Sequence, residues 1–287
     1  MRKIAARVIG IREIYDLCTG GITEHELQNR FIDGSDEFIS HSEEYDEKGA
    51  AGDLFTILPL AAHKPDENPI VFSDLTKHDL VKLYEYYMRN KAKPGRSAYD
   101  KILLSADEKC PFCGGIGRPR NLDHYLPKAY FPQFSITPSN LIPACRDCNM
   151  DAKGTSFAST AHEQILHPYL DDNFFFEDQW VYARVIPGDP CSLEFYASPP
   201  TKWHTISRQR AERHFHVFDL PIRYGIQAAE ELSTVVDQRR GYLRGHSSDE
   251  FREYLLSFTE SSLFANHWKK VMYQALANDS WFCEEEF

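Results

Sequence analysis

The sequence predicts an α+β fold: a zinc-stapled core of two strands and a helix, mainly helical flanks, and a small β-hairpin. Three observations carry this. Two Cys-x-x-Cys pairs, Cys110/Cys113 and Cys145/Cys148, enclose a stretch of mixed strand and helix character. Long segments on both sides place apolar residues at helical spacing. Trp180–Ile186 and Leu193–Ala197 alternate around a Pro187-Gly188-Asp189-Pro190 turn, the pattern of a hairpin. The chain divides accordingly into a helical N-terminal region with a candidate partner surface (1–95), the clamped core (96–172), and a hairpin followed by helices (173–287).

In order, residues 2–17 place Ile4, Val8, Ile11 and Tyr15 on one helical face, and Gly20-Gly21 ends that helix. Thr23 and Glu26 have the spacing of a capping box for a short helix ending near Phe31. Residues 35–53 are acidic and read as a loop or partner surface, with an apolar core element at Leu54–Leu60. His63–Pro69 reads as a proline-containing loop. Asp74–Asn90 is predicted as one helix, with Leu75, Leu80, Leu83, Tyr84 and Tyr87 as its buried stripe. Ser97 is the expected cap of the helix that leads into the first cysteine pair.

Two tight thiolate turns suit the tetrahedral preference of zinc. The first turn contains Pro111 and is followed by Gly114 and Gly115, glycines that give the backbone the open angles a knuckle requires. Four of the seven cysteines are thereby assigned to one closed, structural Zn²⁺ site. The gap between the pairs is long enough to build something inside. It holds Asp123-His124 and Asn140, and Asn149 follows Cys148 directly.

Asp123-His124, Asn140 and Asn149, framed by the cysteine pairs, resemble the HNH motif of the ββα-metal endonucleases in its zinc-stapled branch. That resemblance implies a first strand ending at Asp123-His124, a second beginning at Asn140-Leu141, and a helix over Arg146–Lys153. It implies hydrolysis of DNA phosphodiester bonds, with RNA as an open alternative substrate. His124 would take a proton from water, as a neutral imidazole can. Asp123 and Asn149 would present oxygen ligands to Mg²⁺ or Mn²⁺. Asn140 would hold the intervening loop and orient His124. Lys128, Arg146 and Lys153 are candidate phosphate contacts, and Lys153 lies four residues after Asn149, one helical turn on. His167, in His167-Pro168-Tyr169, is a further candidate site residue.

A looser likeness extends over residues 96–235. Ser97–Leu103, Tyr130–Ser135 and His167–Asp171 are similar to segments of HNH subunits of bacterial anti-phage systems, the Septu type and related retron-associated nucleases. This implies a nuclease effector with a protein partner, an ATPase subunit encoded nearby. A stand-alone restriction or nicking nuclease, and a zinc-stapled nucleic-acid-binding adaptor without catalysis, are the alternative readings.

The remaining elements are helical: Thr205 onward, with Ala211, Phe215 and Phe218 inward, then Ile226, Leu232 and Val236. Ser247 and Glu250 form a capping box, and Phe264, Trp268, Val271 and Ala275 make a last apolar stripe. No apolar run reaches membrane-spanning length, and the basic Met1-Arg2-Lys3 precedes too short an apolar stretch for a signal peptide. An odd number of remaining cysteines (Cys18, Cys191, Cys283) fits a reducing cytoplasm. The net charge of −11 opposes phosphate binding in general, but Lys and Arg crowd the segment from Arg89 to Lys128, beside the motif.

Overall fold

The computed structural model describes residues 1–5, 8–60, 67–260 and 262–284. The chain forms two compact units, Lys3–Asp172 and Met1–Arg2 with Asn173–Phe287. Helices dominate both, and each sheet among the described residues is a two-stranded antiparallel ribbon. Ribbons of that size are marginal unless helices cover them, and here they do. No helix among the described residues is long and apolar enough to cross a membrane.

In the unit Lys3–Asp172, helix α1 spans Ile11–Thr19 and begins later than periodicity predicts, because Gly10 is its N-cap in extended conformation. Ile14, Tyr15 and Cys18 are its buried face. Helix α2 (His25–Asp33) starts after Glu24 without a side-chain cap, so the Thr23/Glu26 box does not form. The acidic run is not a loop. It is helix α3 (Ser35–Ala51), whose inward stripe is Phe38, Ser42, Tyr45 and Gly49 at helical spacing while most of the carboxylates face solvent. The element expected at Leu54–Leu60 is a 3₁₀ turn, Leu54–Thr56, that buries Leu54 and leaves Leu58 exposed. Residues 63–66 of the proline loop lie outside the described residues.

The predicted helix over 74–90 is three elements. Strand β1 (Ile70–Phe72) turns through Ser73 and Asp74, both at positive φ, into β2 (Leu75–Thr76). Helix α4 (Lys77–Lys82) follows, opened by a capping box of Thr76 and Asp79 that sequence reading passed over. It continues as a π-helix, Leu83–Met88. Helix α5 (Arg96–Leu104) is capped by the Gly95 backbone, and Ser97 Oγ donates back to the Pro94 carbonyl.

Strands β3 (Asn121–His124) and β4 (Leu141–Ala144) pair in the register Asn121↔Ala144, Asp123↔Ile142 and His124↔Leu141. Tyr84 and Tyr99 bind the β3 backbone from the helical side. Tyr84 Oη donates to the Leu122 carbonyl at 3.1 Å, and the Leu122 N–H donates to Tyr99 Oη at 3.3 Å. Leu122, Ile136 and Leu141 enter the same apolar core as α1, α2 and α4. A second π-helix, Asp147–Lys153, follows β4. Beyond it, Ser156–Leu166 is irregular apart from one 3₁₀ turn.

In the other unit, α6 (Phe174–Glu177) precedes the hairpin of β5 (Val181–Ile186) and β6 (Ser192–Ala197), paired Val181↔Ala197 through Ile186↔Ser192. Around it stand α7 (Thr205–Val217), α8 (Leu220–Arg240), α9 (Ser248–Ser257), α10 (Trp268–Asn278) and α11 (Ser280–Glu284). Buried Asn266 ties the start of β5, accepting from the Trp180 and Val181 N–H groups at 2.8 and 2.9 Å. The Ser247/Glu250 capping box forms as the sequence indicates.

Candidate functional site

The four cysteines are buried, and their Sγ atoms all lie within 4.8 Å of one another. A tetrahedral zinc with Zn–S near 2.3 Å implies sulfur separations of roughly 3.8 Å, so the cluster fits that ion after slight contraction. The first turn closes through Gly115 N–H to Cys110 carbonyl (2.9 Å) and Cys110 N–H to Gly117 carbonyl (2.9 Å). Gly117 N–H also donates to Cys113 Sγ at 3.3 Å. A Cβ on Gly117 would stand 2.4 Å from Cys145 Sγ, so only glycine permits this approach. Cys145 follows β4 and Cys148 lies in the π-helix, so a bound ion would pin the 110–117 turn to the strand–helix junction.

That junction builds the site. Asn121 and Asp123 share one face of β3, since strand side chains alternate. The π-helix meets that face with two rungs. Asn149 Nδ2 donates to Asn121 Oδ1 at 3.0 Å. Lys153 Nζ lies 3.2 Å from Asp123 Oδ2 and 3.5 Å from Oδ1, and donates to the His124 carbonyl at 2.7 Å. Asp123 and Lys153 are both buried, and Asp123 Oδ2 accepts no hydrogen bond. Burial pushes the Asp123 carboxyl up to about 6, against the opposing pull of Lys153 and the His124 N–H.

His124, last in β3, packs its ring edge-on against Tyr84 at 4.4 Å between centroids. Its Nε2 lies 2.8 Å from the Ser135 carbonyl. A carbonyl only accepts, so Nε2 carries the proton and Nδ1 holds the lone pair. Burial, then the nearby positive charge of Lys128, hold the imidazole down to about 3, so it is neutral at pH 7.

Asn140 is fully buried and binds only backbone: its Oδ1 accepts from Leu126 N–H at 2.7 Å, and Nδ2 donates to the Leu126 and Phe134 carbonyls, both at 3.1 Å. It thus fixes the loop that carries the Ser135 carbonyl, and reaches His124 through that carbonyl and not by a direct bond. Lys128, half-buried, pairs with Glu85 at 3.4 Å. Arg146 is exposed at the start of the π-helix. Lys153 faces inward onto Asp123, away from solvent. His167 is buried against the ring of Tyr125, the residue after His124, at 4.4 Å between centroids: its Nδ1 accepts from the Tyr169 and Leu170 N–H groups at 3.2 and 3.3 Å, and its Nε2 meets Tyr45 Oη at 3.2 Å. Those bonds shape a turn.

The basic segment is partly neutralised by Arg96–Asp100 (2.8 Å), Lys101–Glu13 (4.0 Å) and the Arg118–Glu108 pair. Sequence reading missed Asn121, Ser135, Tyr84 and Gly117. Asn121 has a signal, two residues before Asp123 on the same strand face. Tyr84 and Gly117 act through packing partners far away in sequence, and Ser135 acts through its backbone carbonyl, which leaves no residue-type signal.

The donor set suits a hard divalent cation as well as Lys153. Asp123 offers a carboxylate oxygen without a hydrogen bond, and Asn149, its Nδ2 committed to Asn121, has its Oδ1 remaining.

No family model matches the sequence, and no solved structure does. The chain is 28% identical over 97 residues to the Septu protein PtuB of Bacillus thuringiensis, an alignment covering 32% of this chain and 37% of that protein. It is 39% identical over 294 residues to protein ea31 of Escherichia phage lambda, covering 98% of this chain and 99% of that one. On that near end-to-end match, the chain belongs to the family of protein ea31.

Proposed function

We propose that the chain is a metal-dependent HNH endonuclease that hydrolyses DNA phosphodiester bonds. The observation that carries this reading is the pair of rungs between β3 and the π-helix, which sets Asn149 on Asn121 and Lys153 on Asp123, with His124 the next residue of the strand, in a frame set by the four cysteines.

Asp123 and Asn149 would hold Mg²⁺ or Mn²⁺, which when bound supplies Lewis-acid stabilisation of charge on the phosphate. His124 Nδ1 accepts the proton of the attacking water, while the Ser135 carbonyl fixes the ring's tautomer. An imidazole held near 3 is a weak base. Burial is the larger cause of that lowering, and a phosphate anion beside Lys128 would offset only the lesser, the lysine charge. Lys128 and Arg146 are the phosphate contacts nearest the surface.

The similarity to a Septu protein supports a place in a defence system with a protein partner, and we propose that this partner is an ATPase subunit. The net charge of −11 agrees with a partner that supplies part of the nucleic-acid contact.

The test is cleavage of supercoiled plasmid and of RNA in Mg²⁺ or Mn²⁺, with and without the neighbouring gene product. Wild type nicks or linearises DNA, and His124→Ala lowers the rate by at least about 100-fold. No cleavage under any of these conditions, with His124→Ala indistinguishable in cells, sinks the proposal. One observation favours a second reading, a nucleic-acid-binding adaptor without catalysis: Lys153 already neutralises Asp123. Nucleic-acid binding that survives His124→Ala, with no cleavage in any metal, would select it.

A further inference from the structure

We infer that Lys153 is an internal counter-ion, holding the Asp123 carboxylate in the place of a divalent cation, and that cation binding displaces it from the site. This rests on the reading of Asp123 as a metal ligand.

The side chain of Lys153 is 3% exposed and that of Asp123 is 6% exposed, so their pairing at 3.2 Å is shielded from water. Surface lysines stay solvated. Burying one demands a partner charge and acceptors, and Lys153 has both in Asp123 and the His124 carbonyl at 2.7 Å. The geometry leaves Asp123 Oδ2 with an ion pair but no hydrogen bond, a weakly directed arrangement that another cation can replace.

The two cations compete. A Mg²⁺ bound to that carboxylate sits about 2.1 Å from its oxygen. Lys153 Nζ in its present position would then stand within a few ångströms of a doubly charged ion. At such separations the repulsion exceeds any single hydrogen bond Lys153 makes. Lys128 is not the competitor, because Glu85 holds it at 3.4 Å.

The side chain of Lys153 can leave without dismantling the Asn149–Asn121 rung. It is the last residue of the π-helix. Gly154 follows at φ 53° and ψ −127°, a conformation that side chains disfavour, and its N–H donates to the Asn149 carbonyl at 2.8 Å. That bond holds the backbone at the end of the π-helix, so Lys153 swings out by rotation of its flexible four-carbon side chain while Asn149 stays on Asn121. Displaced from Asp123, the long side chain is free to meet substrate phosphate, so one residue serves as counter-ion in the metal-free state and as phosphate contact in the loaded state.

The experiment is a Mn²⁺ titration of full-length, zinc-loaded protein, reading free Mn²⁺ by electron paramagnetic resonance. Wild type, Lys153→Met, Lys153→Arg, Asp123→Asn and the double variant Asp123→Asn/Lys153→Met are compared. Lys153→Met binds Mn²⁺ at least about tenfold more tightly than wild type, Lys153→Arg does not, and the double variant loses the gain. A second arm needs no variant at position 153. Amine acylation read by mass spectrometry finds Lys153 protected in the metal-free wild type and labelled several-fold faster at a Mn²⁺ concentration that fills the site.

Two outcomes overturn the proposal separately. If Asp123→Asn weakens Mn²⁺ binding but Lys153→Met does not strengthen it, the ligand reading stands and the counter-ion role falls. If Mn²⁺ binding is indifferent to Asp123→Asn in every background, both fall. Should Lys153→Met not fold, unchanged acylation of Lys153 at saturating Mn²⁺ overturns the displacement.

Discussion

The Asn140 side chain makes three hydrogen bonds, all to backbone groups of the loop between β3 and β4. Its amide supplies one acceptor and two donors in a fixed plane, and the loop uses all three. A carboxylate has no donors. Asn140→Asp is therefore expected to turn two attractive contacts into repulsions with the Leu126 and Phe134 carbonyls, at a cost of about 3 kcal/mol. Urea denaturation measures it. A metal-ligand role would predict the opposite, since a carboxylate binds Mg²⁺ more strongly than an amide does. His167 makes a similar point: its nitrogens are committed to Tyr45 and to the 167–170 turn, so its isolation in sequence gave no guide to its partners.

At the scale of elements, α4 shows how a few side chains decide where a helix starts. The Thr76 hydroxyl caps the Asp79 N–H, and the Asp79 carboxylate returns to the Thr76 N–H at 3.1 Å and to Arg30 at 2.7 Å. Burial pushes the Asp79 carboxyl upward, but the Thr76 bonds and the Arg30 guanidinium outweigh it, and the net effect is a pKa below the ordinary value. The folded state thus binds this proton less readily than the unfolded chain, whose Asp titrates at about 3.9. The stabilisation is fully present above that value and is lost as pH falls through the lower folded value. Asp79→Asn is expected to cost about 1 kcal/mol at pH 7, and the difference from wild type to shrink below pH ~4. Thermal melts across pH 3–7 check both parts. The two π-helices belong at this scale too. Each bears on the site, Leu83–Met88 through Tyr84 against His124 and Asp147–Lys153 through Asn149 and Lys153. Such segments are frequent at functional sites because they re-aim side chains that an α-helix would place elsewhere.

For the molecule as a whole, the two units depend on different forces. The unit Lys3–Asp172 contains short strands and irregular stretches around the cysteine cluster. Among the described residues, the unit that contains the β5–β6 hairpin has four helices of ten residues or more and a buried Trp180–Phe215–Tyr224 aromatic group. Zinc removal should therefore act on one unit more than the other. Wild type is expected to carry one Zn²⁺ per chain. Chelation, or Cys148→Ser, should abolish amide-exchange protection around β3, β4 and the 110–117 turn, while β5, α8 and α10 keep theirs. Exchange mass spectrometry measures this, and equal loss in both units would refute it.

The sequence by itself determined what is encoded locally. Cysteine spacing specified the cluster, alternation gave the β5–β6 hairpin, and Ser247 with Glu250 opened α9. The order Asp123-His124, Asn140, Asn149 located the strand ends and the helix that follow β3 and β4. In α3 the same local reading failed, because solvated carboxylates masked an inward stripe of Phe38, Ser42 and Tyr45. The tertiary structure alone decided the partners. It placed the Ser135 carbonyl on His124, Tyr84 against the same ring, Gly117 against Cys145, and Lys153 on Asp123 instead of in solvent. Residue type and period describe which face of an element is apolar. They do not say which distant backbone carbonyl or buried charge will meet it, because that follows from how loops of unconstrained geometry pack when the core closes.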